Sequence, residues 1–163
     1  MTTNRRRFIK QAASASLAAA AAPAVAQGQA AKASKKRSNK RKVLTDRAPK
    51  PVGPYSQAII AGNTVYVAGQ VPTNPRTGQA AIGSFEEQAV QTFENIKAIV
   101  EGAGATLDDV VRVNVYLADL ANFAKMNEVY RRYFKEDFPA RTTVGAQLLS
   151  TFEIEVDCIA VKG

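Results

Sequence analysis

Between residues 57 and 161 the apolar residues switch repeatedly between a spacing of two and a spacing of three to four, which limits the chain to a mixture of strands and helices. Residues 57–61 and 64–71 are two apolar runs separated by Gly62-Asn63, a pair suited to the positive φ of a tight turn, and they predict a hairpin. Pro72, Pro75 and Gly78 then break regular structure and predict a loop as far as Ser84. Ser84 and Glu87 have the spacing of a capping box, and Phe85, Ala89, Phe93, Ile96 and Val100 recur on one helical face until Gly102 and Gly104. Strict alternation returns at 110–117, with Val111, Val113, Val115 and Leu117 against Arg112, Asn114 and Tyr116. Asp119 is placed to cap a second helix whose stripe is Phe123, Met126, Tyr130 and Phe134, ending before Phe138-Pro139. Residues 141–148 and 153–161 predict two more strands. The order ββαβαββ describes an α+β protein with two helices on one face of a mixed sheet.

The last strand carries a charge problem. Glu153, Glu155 and Asp157 share one face, opposite Phe152, Ile154 and Val156. Like charges at i and i+2 repel unless solvent, a cation or another subunit separates them, so this pattern favours an oligomer with a polar pocket.

Charge also divides the chain. Of 22 basic residues, four lie in the first 26 positions and nine between 27 and 50. Residues 51–163 hold nine basic and thirteen acidic residues, a net charge of −4, so the pI near 9.8 describes the leader and not the body. Clustered Lys and Arg can bind phosphates, but no aromatic residue interleaves 27–50 to stack on bases, and nucleic acid is not expected as a partner. The basic tail is left free to contact anionic surfaces.

Arg5-Arg6-Arg7-Phe8-Ile9-Lys10 followed by the alanine-rich stretch 12–22 resembles a twin-arginine signal, and Ala24-Val25-Ala26 supplies small residues for cleavage after Ala26. The expected location is periplasmic or secreted. Residues 27–50, with nine like charges and no apolar periodicity, predict a disordered linker, and 51–163 the folded domain. Cys158 is the single cysteine and sits in an apolar run, so a buried, inert thiol is expected and no intramolecular disulfide is possible.

No histidine occurs anywhere, which removes Ser/His/Asp and Cys/His catalysis and the commonest metal ligand together. One cysteine cannot hold a zinc or iron–sulfur centre, and no glycine-rich phosphate loop is present. Neither metal nor organic cofactor is expected. Carboxylate, tyrosine and arginine remain, a set suited to gripping a small anion and ordering a water molecule.

Four segments carry a resemblance: Gly53-Pro54-Tyr55-Ser56-Gln57-Ala58, Val67-Ala68-Gly69-Gln70-Val71-Pro72, Phe138-Pro139-Ala140-Arg141-Thr142-Thr143-Val144 and Ile154-Glu155-Val156-Asp157. In order and spacing they resemble the signature segments of the Rid/YjgF family, over nearly all of 48–163. The resemblance implies a chorismate-mutase-like fold of the bacillus type, a homotrimer with pockets between subunits, and hydrolytic deamination of 2-imino or enamino acids such as 2-aminoacrylate or 2-iminobutyrate. It assigns the substrate carboxylate to Arg141 and the attacking water to Glu155. Tyr55, the backbone at Gly69 and Thr143, and at the pocket edge Arg112 and Asn127, would line the site.

Two departures stand out. Thr143 occupies a position that is frequently cysteine in the family, and the segment between Arg141 and Glu155 is a residue shorter than in the best-known members, with Leu149 where proline is common. The rival reading is a non-catalytic trimer that binds small carboxylates. A ribonuclease is disfavoured by the missing histidine and the acidic body.

Overall fold

The computed structural model describes residues 39–81 and 83–163. The expected signal sequence and the first part of the expected linker lie outside the described residues. Six strands form one sheet in the order β1-β2-β3-β6-β4-β5. They are β1 (Lys40–Val43), β2 (Ala58–Ala61), β3 (Thr64–Gln70), β4 (Val110–Leu117), β5 (Ala140–Gly145) and β6 (Ile154–Val161), with helices α1 (Phe85–Gly102) and α2 (Phe123–Tyr133) between β3 and β4 and between β4 and β5. Only β4 and β5 run parallel, joined through α2; every other pairing is antiparallel. The result is a mixed α+β fold with a six-stranded sheet and two helices.

The helices cover one face. Val65 and Val67 of β3, Val113, Val115 and Leu117 of β4, and Ile154, Val156, Cys158 and Ala160 of β6 are buried against Phe93, Ile96 and Ile99 of α1 and Met126 and Val129 of α2. Each large apolar side chain so buried contributes about 1.5–3 kcal/mol. The expected stripe of α1 is all on this face, and its cap forms as expected: Glu87 N–H donates to Ser84 Oγ at 3.3 Å while Ser84 N–H donates to Glu87 Oε2 at 2.7 Å. Asn95, also buried, donates from Nδ2 to the carbonyls of Val71 and Thr73 and so ties the chain leaving β3 to α1. Neither described helix is long and apolar enough to cross a membrane.

Four expectations are corrected. The linker does not extend to residue 50, because Lys40–Val43 pairs with β2 and turns ββαβαββ into a sheet with one more strand. Like charge does not prevent this, since Lys40, Arg41 and Lys42 are all exposed on an edge strand while Val43 alone is buried. Charged side chains are well suited to such an edge, where they discourage further pairing. Val111 does not share the face of Val113: a bulge between Val110 and Arg112 shifts the register, burying Val110 and leaving Val111 exposed. Asp119 caps a short 3₁₀ turn, Leu120–Asn122, by accepting from Ala121 N–H at 2.8 Å, and α2 begins only after it. The strand expected over 141–148 stops at Gly145, beyond which an irregular loop with Ser150 at φ +58° leads into β6.

Candidate active site

The parallel pairing of β4 and β5 sets Arg141 beside Val113, a residue wholly buried under the helices, so the arginine projects to the helix side. There α2 receives it. Arg141 Nη2 donates to Asn127 Oδ1 at 2.7 Å, Nη1 lies 3.8 Å from Met126 Sδ, and the guanidinium sits 4.5 Å over the Tyr130 ring and 5.9 Å from that of Phe123. The contact with Tyr130 is worth about 0.5–2 kcal/mol and fixes the plane of the fork. Arg141 forms no ion pair among the described residues. Beside it an open cavity of about 350 Å³ is lined by Asn127, Tyr130, Arg131, Phe138, Pro139 and Arg141. A guanidinium held in place but without an acidic partner at a cavity wall has the geometry to accept a carboxylate through two parallel hydrogen bonds.

Thr143 follows two residues along the same face, and its hydroxyl is buried without a hydrogen-bond partner among the described residues, as is that of Tyr130. Burial pushes the Tyr130 hydroxyl up to about 12, against the opposing charge of Arg141, so it stays protonated.

Glu155 lies on the other face. It pairs with Tyr116 in the register, between the inward-facing Ile154 and Val156, on the side of the sheet that neither described helix covers. A second bulge, between Val67 and Gln70, places Gly69 against it: a Cβ at Gly69 would collide with Glu155 Oε1. The absent side chain is therefore what makes room for the carboxylate. Gln70 Nε2 donates to the Gly69 carbonyl at 3.0 Å and steadies the bulge.

The neighbouring Asp157 is fully engaged, accepting from Asn114 Nδ2 at 2.8 Å and from Tyr116 Oη at 3.0 Å. Glu155 forms no hydrogen bond or ion pair among the described residues. Burial, and then the charge of Asp157, push its carboxyl above the usual carboxylate value. Three carboxylates that look alike in sequence thus have three environments. Glu153 accepts from Gln88 Nε2 at 3.0 Å, Asp157 is held by β4, and Glu155 alone of the three has no hydrogen bond or ion pair among the described residues.

Within one chain the expected site falls into two groups. Arg141, Asn127 and Thr143 come together on the helix side, while Glu155 and Gly69 meet on the uncovered face. Arg112 is also there, held by Thr142 Oγ1 at 2.8 Å and Asn114 Oδ1 at 3.3 Å. Tyr55 is half exposed before β2, its hydroxyl accepting from Val52 N–H at 3.3 Å, and contacts neither group through a hydrogen bond or ring. Sequence reasoning missed the cradle of Arg141, namely Phe123, Met126 and Tyr130, because these residues read as an ordinary helix stripe. The i, i+4 placement of Asn127 and Arg131 beside that stripe was the available signal. Cys158 matches its expectation, its thiol pushed up to about 12 by burial and by Asp157. Among the described residues no group of His, Cys, Asp and Glu could hold a metal ion.

Fold and site together define an α+β protein with an oriented guanidinium at a cavity on the helix side of its sheet and a carboxylate without a hydrogen-bond partner among the described residues on the other. The family model described as Endoribonuclease L-PSP matches residues 45–162. A RutC family protein of Pyrococcus abyssi is 54% identical over 121 residues, covering 74% of this chain and 95% of that one. A 2-iminobutanoate/2-iminopropanoate deaminase of Dermatophagoides farinae is 44% identical over 125 residues, covering 76% and 98%. The crystal structure of E. coli TdcF with bound serine superimposes with a TM-score of 0.72 at 36% identity, over 76% of this chain and 99% of that chain. The chain belongs to the Rid/YjgF family, whose family model carries the L-PSP description.

Proposed function

We propose that this protein hydrolyses reactive 2-imino and enamino acids of the 2-aminoacrylate and 2-iminobutyrate class to 2-oxo acids and ammonia, in a homotrimer whose sites lie between neighbouring subunits. The observation that carries the reading is the Arg141 guanidinium, oriented by Asn127 and Tyr130 at a cavity wall and without an acidic partner. Relatives named as 2-iminobutanoate/2-iminopropanoate deaminases support the reaction class, and bound serine in TdcF is itself a small amino carboxylate.

In this reading Arg141 takes the substrate carboxylate through two parallel hydrogen bonds and sets the imine carbon in place. Glu155 accepts a proton from a water molecule as its oxygen adds to that carbon. The proton passes to nitrogen, the C–N bond of the resulting carbinolamine breaks, and one water and one imine become one ketone and one ammonia. An enamine enters the same route after a proton shifts to its β-carbon.

Arg141 and Glu155 project from opposite faces, so a single chain cannot present both to one small molecule. A neighbour's uncovered face set against the β5 edge can complete the pair. Half-exposed Tyr66 and Val144 on the uncovered side support its use as a contact surface.

The test is release of ammonia or 2-oxo acid from imino acids generated in situ by an amino-acid oxidase. The parent should accelerate the spontaneous reaction, with kcat/KM falling about a hundred-fold in Arg141→Ala and in Glu155→Ala. If the parent adds nothing over the spontaneous rate for several side chains, the deaminase reading fails and a carboxylate-binding trimer replaces it.

A further inference from the structure

The cavity beside Arg141 holds a second arginine that the reaction above does not use. Arg131 is four residues after Asn127 on α2, which sets the two about 6 Å apart on one helix face. Asn127 is the residue that orients Arg141, so Arg131 stands one turn beyond the carboxylate receptor on the same wall. Its neighbour Arg132 is paired with Glu86 at 2.7 Å, whereas Arg131 forms no ion pair among the described residues. The six residues that line the cavity comprise two guanidiniums, an amide, two aromatic rings and a proline, and no carboxylate. Two unpaired cations on one concave wall attract an anion with two charged ends more strongly than one with a single end.

Resting on the deaminase reading, we propose that Arg131 receives a second, side-chain carboxylate and directs the site toward dicarboxylic 2-imino acids. Phe138 and Tyr130 then flank the short carbon chain between the two charged ends. Hydrolysis is unchanged in stoichiometry: water replaces the imine nitrogen and a dicarboxylic 2-oxo acid leaves with ammonia. Arg131 is exposed, so solvent and salt screen its contact, and the preference it confers should shrink as ionic strength rises.

The measurement is the ratio of kcat/KM for iminosuccinate, made in situ by an aspartate oxidase, to that for 2-iminobutyrate, made by an amino-acid oxidase, on the full-length protein. The ratio should exceed one in the parent, fall about ten-fold in Arg131→Gln and further in Arg131→Glu, and be largely regained in Arg131→Lys. A ratio at or below one, or one that Arg131→Gln leaves in place while both imines are hydrolysed, overturns the dicarboxylate assignment and leaves the deaminase reading intact. Failure to accelerate either imine overturns both. Thermal unfolding of each variant separates a lost contact from a lost fold, because a destabilised protein loses both activities together and keeps its ratio.

Discussion

Glu155 shows how one residue acquires surroundings its neighbours lack. Its carboxyl is held above the ordinary range by burial and by Asp157, so the folded protein binds that proton more tightly than the unfolded chain. As pH rises from the ordinary carboxylate range through the raised value, the folded state loses stability, and the loss is complete above it. Glu155→Gln should therefore unfold at higher urea concentration than the parent at pH 7, an advantage that disappears below about pH 4. Urea titrations at the two pH values check this, and a difference that stays constant with pH would contradict it. The same protonation should give the parent's kcat/KM an acid limb displaced toward neutrality. Arg141 and Glu155 were both singled out by short motifs, which do not tell which face of the sheet each leaves. The cradle of Arg141 was not, because a methionine and two aromatic rings at helical spacing are the same signal whether they fill a core or support a guanidinium.

At the scale of elements, irregularities in the strands do the positioning. The bulge at Ala68–Gly69 brings a backbone without a side chain against Glu155, and the bulge at Val111 reverses the alternation that sequence periodicity implied. A bulge inserts one residue without altering composition, so no pattern of apolar residues reports it. Gln57 is a second device of this kind. It is buried, and its amide donates to the carbonyls of Thr45, Ala48 and Pro49 while its oxygen accepts from Thr45 N–H at 2.7 Å. These bonds pin the segment between β1 and β2. Gln57→Leu, which strands those backbone groups, should destabilise the protein by about 2–4 kcal/mol in chemical denaturation. A loss under about 0.5 kcal/mol would mean that water replaces the side chain readily.

For the whole molecule, placing the two principal residues on opposite faces has a direct consequence. If each site takes Arg141 from one chain and Glu155 from its neighbour, trimers co-assembled from equal amounts of Arg141→Ala and Glu155→Ala should regain about a quarter of parental activity, although each variant alone keeps only about a hundredth. A mixture that unfolds, reassembles and stays inactive would exclude the shared site. The order of seven of the eight regular elements, the buried stripe of α1, the inert thiol and the residue types available for chemistry were all determined by local spacing and composition. Those properties depend on neighbours a few residues away, which a sequence displays. The extra edge strand, the two bulges, the cavity shared by Arg131 and Arg141 and the separation of Arg141 from Glu155 were decided only by tertiary structure. They depend on which strand lies beside which and on which face a side chain leaves the sheet, relations between residues far apart in the chain that no local period records.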